Sequence, residues 1–367
     1  MNIPDFCLAA VFLSAEGRFD LQEFPLRDPT PGEVLVKVSL ATICGSDIHT
    51  VTGRRKAPGP IILGHEICGR ISALGGQGAL DFEGRPLRVG DRVTWSIMAS
   101  CGECYFCKHE IPQKCESLFK YGHESITNRP ALSGGFAEYI YLRPGTSIFH
   151  VPDGLTDEVV TPANCSLSTM CAAVRMMDVR EGESVLIQGA GLLGLCAAAL
   201  CACRGARIVA VADVLDKRLE RAKEFGSTHV VNMHGEDGED ALQDAAPSRG
   251  FDVGIEVCGV AEAIPTGLAA LRVGGRYLTA GCVYPGAEAM VDFQLVTRGM
   301  RQIVGLHNYT PPDLAAAVGF LSETRDRFPW DGIIGATYDL GKINQAVCFA
   351  QSSPEIIRVG VRGRQAK

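Results

Sequence analysis

The chain is expected to be an α/β protein with two domains, a β-rich barrel-like domain and a doubly wound parallel sheet. Three observations point there. At 367 residues it is too long for one ordinary core. Its 46% hydrophobic and 21% charged residues suit a globular chain. Its texture also changes near residue 155, from short apolar runs broken by glycine and proline to apolar strands alternating with helical patterns. We therefore expect a β-rich, barrel-like domain at 1–155 and a doubly wound parallel-sheet domain at 156–295. The tail, 296–367, is mixed in character and is expected to return to the first domain.

The N-terminal "MNIPDFCLAAVFLSAEG" has an apolar run, but it carries Asp5 and no early Lys or Arg. That is the wrong flank for an export signal, so the run reads as a first strand. "EVLVKVSLATI", "GRISAL" and "GDRVTWSI" continue the β-rich part. Beyond residue 155, "ESVLIQGA" reads as a strand, "GLLGLCAAALCACRG" as a helix, "ARIVAVAD" as a strand and "DKRLERAKEFG" as a helix. "HVVN", "DVGIEVCG" and "RYLTAG" follow as strands. Alternation at this spacing builds a parallel sheet. The apolar stretch "LLGLCAAALCAC" stops at Arg204, well short of the ~20 residues a membrane span needs, so it is a buried helix.

Net charge is −7 and no long Lys/Arg run occurs, which argues against nucleic acid or an anionic membrane as main partner. Fifteen cysteines without an export signal imply a reducing compartment, the cytoplasm, where clustered cysteines bind metal more often than they pair.

"VLIQGAGLLG" sets Gly189, Gly191 and Gly194 directly after a strand and at the start of a helix. Such glycines permit a tight turn, close approach to a pyrophosphate and close helix–sheet contact, with the helix N-terminus facing the phosphates. Asp213 ends the next strand nineteen positions beyond Gly194, where a carboxylate takes the adenosine ribose hydroxyls. It would repel a ribose phosphate, so NAD is expected rather than NADP.

"CGECYFCKHEIPQKC" carries Cys101, Cys104, Cys107 and Cys115. Four thiolates suit a closed, structural zinc site, and an iron–sulfur cluster is the competitor that spacing alone leaves open. Elsewhere "TICGSDIHT" holds Cys44, Ser46, Asp47 and His49, "ILGHEICG" holds His65 and Glu66, and "PANCSLSTM" holds Cys165. Each is ordinary alone. Two cysteines and a histidine together match a catalytic zinc set with one open position.

With "ICGSDIH", "LGHEICG", the four-cysteine run, "NCSLST", "GAGLLG" and Asp213 in this order, the chain resembles the zinc-dependent medium-chain alcohol dehydrogenases over essentially its full length. The resemblance implies a GroES-like catalytic domain, a Rossmann domain and two zinc ions per chain, which decides the four-cysteine run for zinc. It implies catalytic ligands Cys44, His65 and Cys165, with Glu66 beside the metal and Asp47 fixing the His65 tautomer. Ser46 and His49 resemble a proton relay. Thr169 and Leu193 lie where the family contacts the nicotinamide, and Leu192 and Arg218 join Gly189, Gly191, Gly194 and Asp213 as cofactor residues. Arg358 resembles an arginine that neutralises the pyrophosphate. The implied reaction moves a hydride between an alcohol and NAD, giving an aldehyde or ketone. A homodimer or homotetramer is implied as well.

For the substrate, Ile97 and Met98 are expected to wall the pocket, with "LHNYTP" a further candidate, while Arg54, Arg55, Lys56, Lys120 and His123 supply basic and polar groups. "PQKCESLFKYGHE", "LSGGFAEY", "PANC" and "GLHNY" are similar to a branch associated with phosphonate catabolism, which implies a hydroxyalkyl substrate with an anionic head. A polyol or amino-alcohol dehydrogenase of the same family is the alternative, and a catalytically idle relative the alternative outside enzymes.

Overall fold

The computed structural model describes residues 3–128, 131–235 and 237–363. The chain divides into two units. One runs to Cys165 and adds Thr310–Arg325 and the chain from Trp330 onward; the other comprises Ser166–Tyr309 with Asp326–Pro329.

The first unit opens with β1 (Phe6–Leu13), β2 (Arg18–Pro25), β3 (Val34–Ile43), β4 (Ile61–Ile62), β5 (Glu66–Leu74), β6 (Arg92–Ala99), β7 (Phe119–Lys120), β8 (Tyr139–Leu142) and β9 (Thr146–His150). β1 is apolar and buried on both faces, whereas the edge strand β2 alternates. The register of β3 against β5 slips twice, at Leu35/Val36 and Val38/Leu40. Such irregularities strengthen local twist and help curl a sheet. Phe12, Phe19, Trp95 and Phe136 fill the core, with Phe12 and Phe19 rings 5.2 Å apart.

The second unit holds β10 (Ser184–Gln188), β11 (Ile208–Asp213), β12 (His229–Asn232), β13 (Phe251–Glu256), β14 (Leu271–Thr279) and β15 (Gln302–Gly305). They form one parallel sheet in the order β12-β11-β10-β13-β14-β15. That order reverses direction between β10 and β13, which creates a crevice at the strands' carboxyl ends. The chain then returns to the first unit with β16 (Ile334–Asp339) and β17 (Arg358–Arg362), and β17 pairs with β3.

The divisions at 165/166 and 309/310 fall later than the expected 155/156 and 295/296. Residues 156–165 belong to the β-rich unit because Thr161 bonds Cys68 and Asn164 bonds Ile67 and Trp95. β15 belongs to the parallel sheet because it pairs with β14. Phe328 joins that unit by stacking on Phe225. No helix among the described residues is long and apolar enough to cross a membrane.

Candidate active site

β3 ends at Ile43, and Cys44 caps the helix Gly45–Val51 that follows. Asp47, three residues into that helix and buried, does two jobs. Its Oδ2 accepts the Cys44 N–H at 2.9 Å, while Oδ1 faces His65 Nδ1 at 3.3 Å and accepts the Gly64 N–H at 3.3 Å. With Nδ1 committed to a carboxylate, Nε2 is the His65 nitrogen left to bind a metal. Donor atoms of Cys44, His65, Glu66 and Cys165 all lie within 4.8 Å of one another.

In this set the Cys44 thiol is held well below its usual range, chiefly by a hydrogen bond from Cys165 and by the Arg358 charge, against burial. Cys165 is raised by the same bond and by burial. Two sulfurs sharing one proton beside an imidazole is the chemistry of a donor set that a divalent cation completes. Burial opposes protonation of His65, but the Asp47 charge and its hydrogen bond outweigh it and raise the imidazole to about 10. A metal needs the neutral imidazole, so uptake must displace a proton.

Glu66 is fully buried and braced on both oxygens. Thr42 Oγ1 donates to Oε2 at 2.5 Å, Arg358 Nε donates to Oε2 at 2.7 Å and Arg358 Nη2 to Oε1 at 2.8 Å. Arg358 Nη2 also lies 3.5 Å from Cys44 Sγ. The resemblance assigned Arg358 to the cofactor pyrophosphate. In this structure its guanidinium bonds Glu66 and lies beside Cys44, where its charge offsets the cost of burying a carboxylate and a thiolate.

Ser46 and His49 sit three residues apart on one helix, hence on one face. Ser46 Oγ is 3.2 Å from His65 Nε2. Burial, then Arg54 and Arg55, lower the His49 imidazole, so it is neutral and able to accept a proton near pH 7. Ile97 and Met98 are buried in β6, and Met98 pairs with Lys120. Arg54 and Lys56 are exposed and Arg55 is half-buried.

The four cysteines of the loop also converge. Sγ atoms of Cys101 and Cys115 are 3.4 Å apart, Cys104 and Cys115 3.9 Å, and Cys101 and Cys107 4.0 Å. A tetrahedron with zinc–sulfur bonds of about 2.3 Å has edges of roughly 3.8 Å. Sulfurs this close leave room for a single ion rather than a cluster of irons. Backbone N–H groups of Glu116 and Cys107 pull the Cys104 thiol down to about 6, a ready thiolate.

In the parallel sheet, Gly189 has φ +112, and a Cβ there would meet Cys258 N at 2.9 Å. At Gly194 a Cβ would meet Gly189 O at 1.8 Å, so only glycine fits the turn. Gly191 has open space, with Arg218 Nη1 3.8 Å away from its would-be Cβ. Among the described residues no side chain caps the helix Leu192–Cys203, and an uncapped helix N-terminus is suited to an anion. Leu192 is buried, whereas Leu193 and Thr169 are half-buried. Asp213 Oδ2 accepts the Ala190 N–H at 2.6 Å and Oδ1 those of Val214 and Leu215, which fixes the carboxylate beside the glycine turn.

Sequence reasoning missed Thr42, Asn164 and Glu256. Thr42 and Glu256 give one signal, a polar residue inside or ending an apolar strand run, as in "LATI" and "GIEV", whereas Asn164 ends the helical turn 161–164 and gives none.

Comparison with known proteins agrees with this geometry. Residues 30–153 match the alcohol dehydrogenase GroES-like domain, and 193–323 match the zinc-binding dehydrogenase domain. The chain is 29% identical over 350 residues to 5-exo-hydroxycamphor dehydrogenase of Pseudomonas putida, covering 93% of this chain and 95% of that protein. It is 34% identical over 268 residues to L-threonine 3-dehydrogenase of Shewanella loihica, covering 72% and 73%. An alcohol dehydrogenase from Thermotoga maritima superposes with a TM-score of 0.90 at 28% identity, covering 98% of this chain and all of that one. Benzyl alcohol dehydrogenase from Acinetobacter calcoaceticus does so at 0.85 and 27%, with the same coverage. The cysteine–histidine set, the four-sulfur cage and the glycine turn fit zinc and a nicotinamide dinucleotide, and with these matches the chain belongs to the zinc-dependent medium-chain alcohol dehydrogenase family.

Proposed function

We propose that this protein is an NAD-dependent dehydrogenase of small alcohols that carry an anionic group. NAD is favoured by Asp213, whose negative charge at the end of β11 suits ribose hydroxyls and opposes a ribose phosphate. Zinc held in the Cys44–His65–Cys165 set would supply a Lewis acid for loss of the alcohol proton, and NAD at the glycine turn would supply the hydride acceptor. The chain's residues do the rest. Cys44, His65 and Cys165 hold the metal, Asp47 keeps His65 in the binding tautomer, and Arg358 keeps Glu66 clasped. Ser46 and neutral His49 lead the released proton along one helix face toward solvent.

The observation that carries the substrate class is the basic turn Lys120–His123. Gly122 has φ +71, and a Cβ there would meet Gly64 O at 2.6 Å and His65 Cβ at 3.1 Å, so the turn lies directly on the ligand segment. The His123 ring is 5.2 Å from that of His65. Its Nδ1 bonds Tyr121 O, and burial, then Lys120, hold it neutral. Lys120 is half-buried; burial pushes its ammonium down to about 8, and it feels both Cys165 and Arg55. Arg55, on the segment leaving the Cys44 helix, is held by a 2.8 Å bond from its Nε to Thr50 Oγ1. Two cations beside a metal whose charge two thiolates balance favour an anionic substrate. The narrower phosphonate reading gains nothing from the relatives. The L-threonine 3-dehydrogenases favour a second reading, an amino-alcohol substrate.

Initial rates of NAD reduction over 2-butanol, 3-hydroxybutyrate, 2-hydroxypropylphosphonate, 1-amino-2-propanol and L-threonine test this, with NADP alongside. The expected order puts the anions first. A lead for 1-amino-2-propanol or 2-butanol would refute the anion reading and keep the dehydrogenase; no rate on any alcohol would refute both.

We also propose a homo-oligomer in a reducing compartment. β15 is an edge strand, and Met290, Phe293, Met300 and Ile303 beside it are exposed. An unpaired edge flanked by apolar side chains suits pairing with a second copy. Thiolate cages last only where thiols stay reduced.

A further inference from the structure

Glu256 ends β13, the first strand past the point where the sheet order reverses, and it is completely buried. Buried carboxylates are normally paired with a cation. Here, among the described residues, neutral donors alone surround it. Oε1 accepts the Gly259 N–H at 2.6 Å, and Oε2 accepts the Thr279 hydroxyl at 2.7 Å and the Gly281 N–H at 3.1 Å. Its own carbonyl takes the Ala280 N–H at 2.9 Å. One side chain thus ties the loop after β13 to the loop after β14. The fit is close: a Cβ on Gly281 would meet Glu256 Oε1 at 2.3 Å and Gly259 N at 2.4 Å. The same loop touches the glycine turn, since a Cβ on Gly189 would meet Cys258 N at 2.9 Å.

Asp213 assigns the adenosine half of a dinucleotide to the β10–β12 side, so the nicotinamide half lies over the carboxyl ends of β13–β15. We infer that Glu256 is a positioning residue for that half: it locks both framing loops, and its uncompensated negative charge favours the cationic oxidised ring over the neutral reduced one. The charge is felt at the crevice. Burial first, then Glu256, push the Cys258 thiol up to about 12 and the Cys282 thiol up to about 11. The inference rests on the dinucleotide reading of the site, not on the choice of alcohol.

The test is dissociation constants for NAD and NADH, by NADH fluorescence and competition, on the zinc-loaded protein. Glu256→Gln keeps the shape and removes the charge. It is expected to weaken NAD binding about tenfold and NADH binding about threefold, so the preference shifts toward NADH. Equal change in both constants, or none, overturns the inference. Should that variant not fold, Thr279→Val removes one donor and keeps the charge. It is expected to weaken both forms two- to fourfold, and unchanged constants there overturn the inference equally. If the unaltered protein binds only NADP and NADPH, the same comparison runs on that pair. If it binds neither pair, the dinucleotide reading fails first.

Discussion

The two sulfur-rich sites are built in opposite ways. The cage of Cys101, Cys104, Cys107 and Cys115 comes from one short loop, and three of its four cysteines are exposed or half-exposed. The set of Cys44, His65, Glu66 and Cys165 is gathered from the end of β3, the start of β5 and the end of the segment after β9, and His65 and Glu66 are fully enclosed. The first closes its coordination with four thiolates and can only brace the loop. The second offers two cysteines and a histidine, a set that leaves one coordination position open, with Glu66 clasped by Arg358 and the His123 ring 5.2 Å from that of His65.

Cys44→Ser should separate the sites most sharply. Turnover is expected to fall by a factor on the order of 10³ or more, with zinc dropping from two per chain to one while circular dichroism and melting stay near those of the parent. Two zinc ions retained in an active variant would break the comparison. Arg358→Met should come next, because it leaves Glu66 and the Cys44 thiolate buried without their cation. A stability loss of about 3–5 kcal/mol in denaturant melts is expected, and a loss below about 1 kcal/mol would show that Arg358 does not serve as their counter-charge.

Cys104→Ser should remove the other zinc. Untying a loop of this size is worth about 3 kcal/mol by its closure entropy. Early proteolysis within 101–115 is expected, with a large share of activity kept; turnover lost as completely as in Cys44→Ser would erase the division of labour. Lys120→Met is the mildest. The kcat/KM ratio of 3-hydroxybutyrate over 2-butanol should fall roughly 30-fold, an effect of one charged contact. An unchanged ratio would make Lys120 a bystander.

How far each site is legible follows from this contrast. The cage is readable because its ligand spacing is itself the geometry: a few bonds of chain separate donors that must meet. The glycine turn is readable for the same reason, since strand, turn and helix are contiguous and Gly189 and Gly194 leave no space for a Cβ. The distributed site needed the family resemblance to assemble, because nothing local relates Cys44 to Cys165. Arg358 shows what local sequence cannot supply. Its partner is decided by β17 lying beside β3, which sets it on Glu66.

By itself, the sequence determined the two architectures, the glycine turn after β10, the carboxylate that ends β11 and the clustering of four cysteines in one loop, all of which depend on short-range periodicity and spacing. Tertiary structure alone decided that Thr42 and Arg358 clasp Glu66, that Lys120 and His123 lie on the His65 segment, and that Glu256 joins two loops through neutral donors. Those arrangements arise from pairing between distant strands, where burial removes water and each charge must find its partner in whatever segment the fold brings beside it.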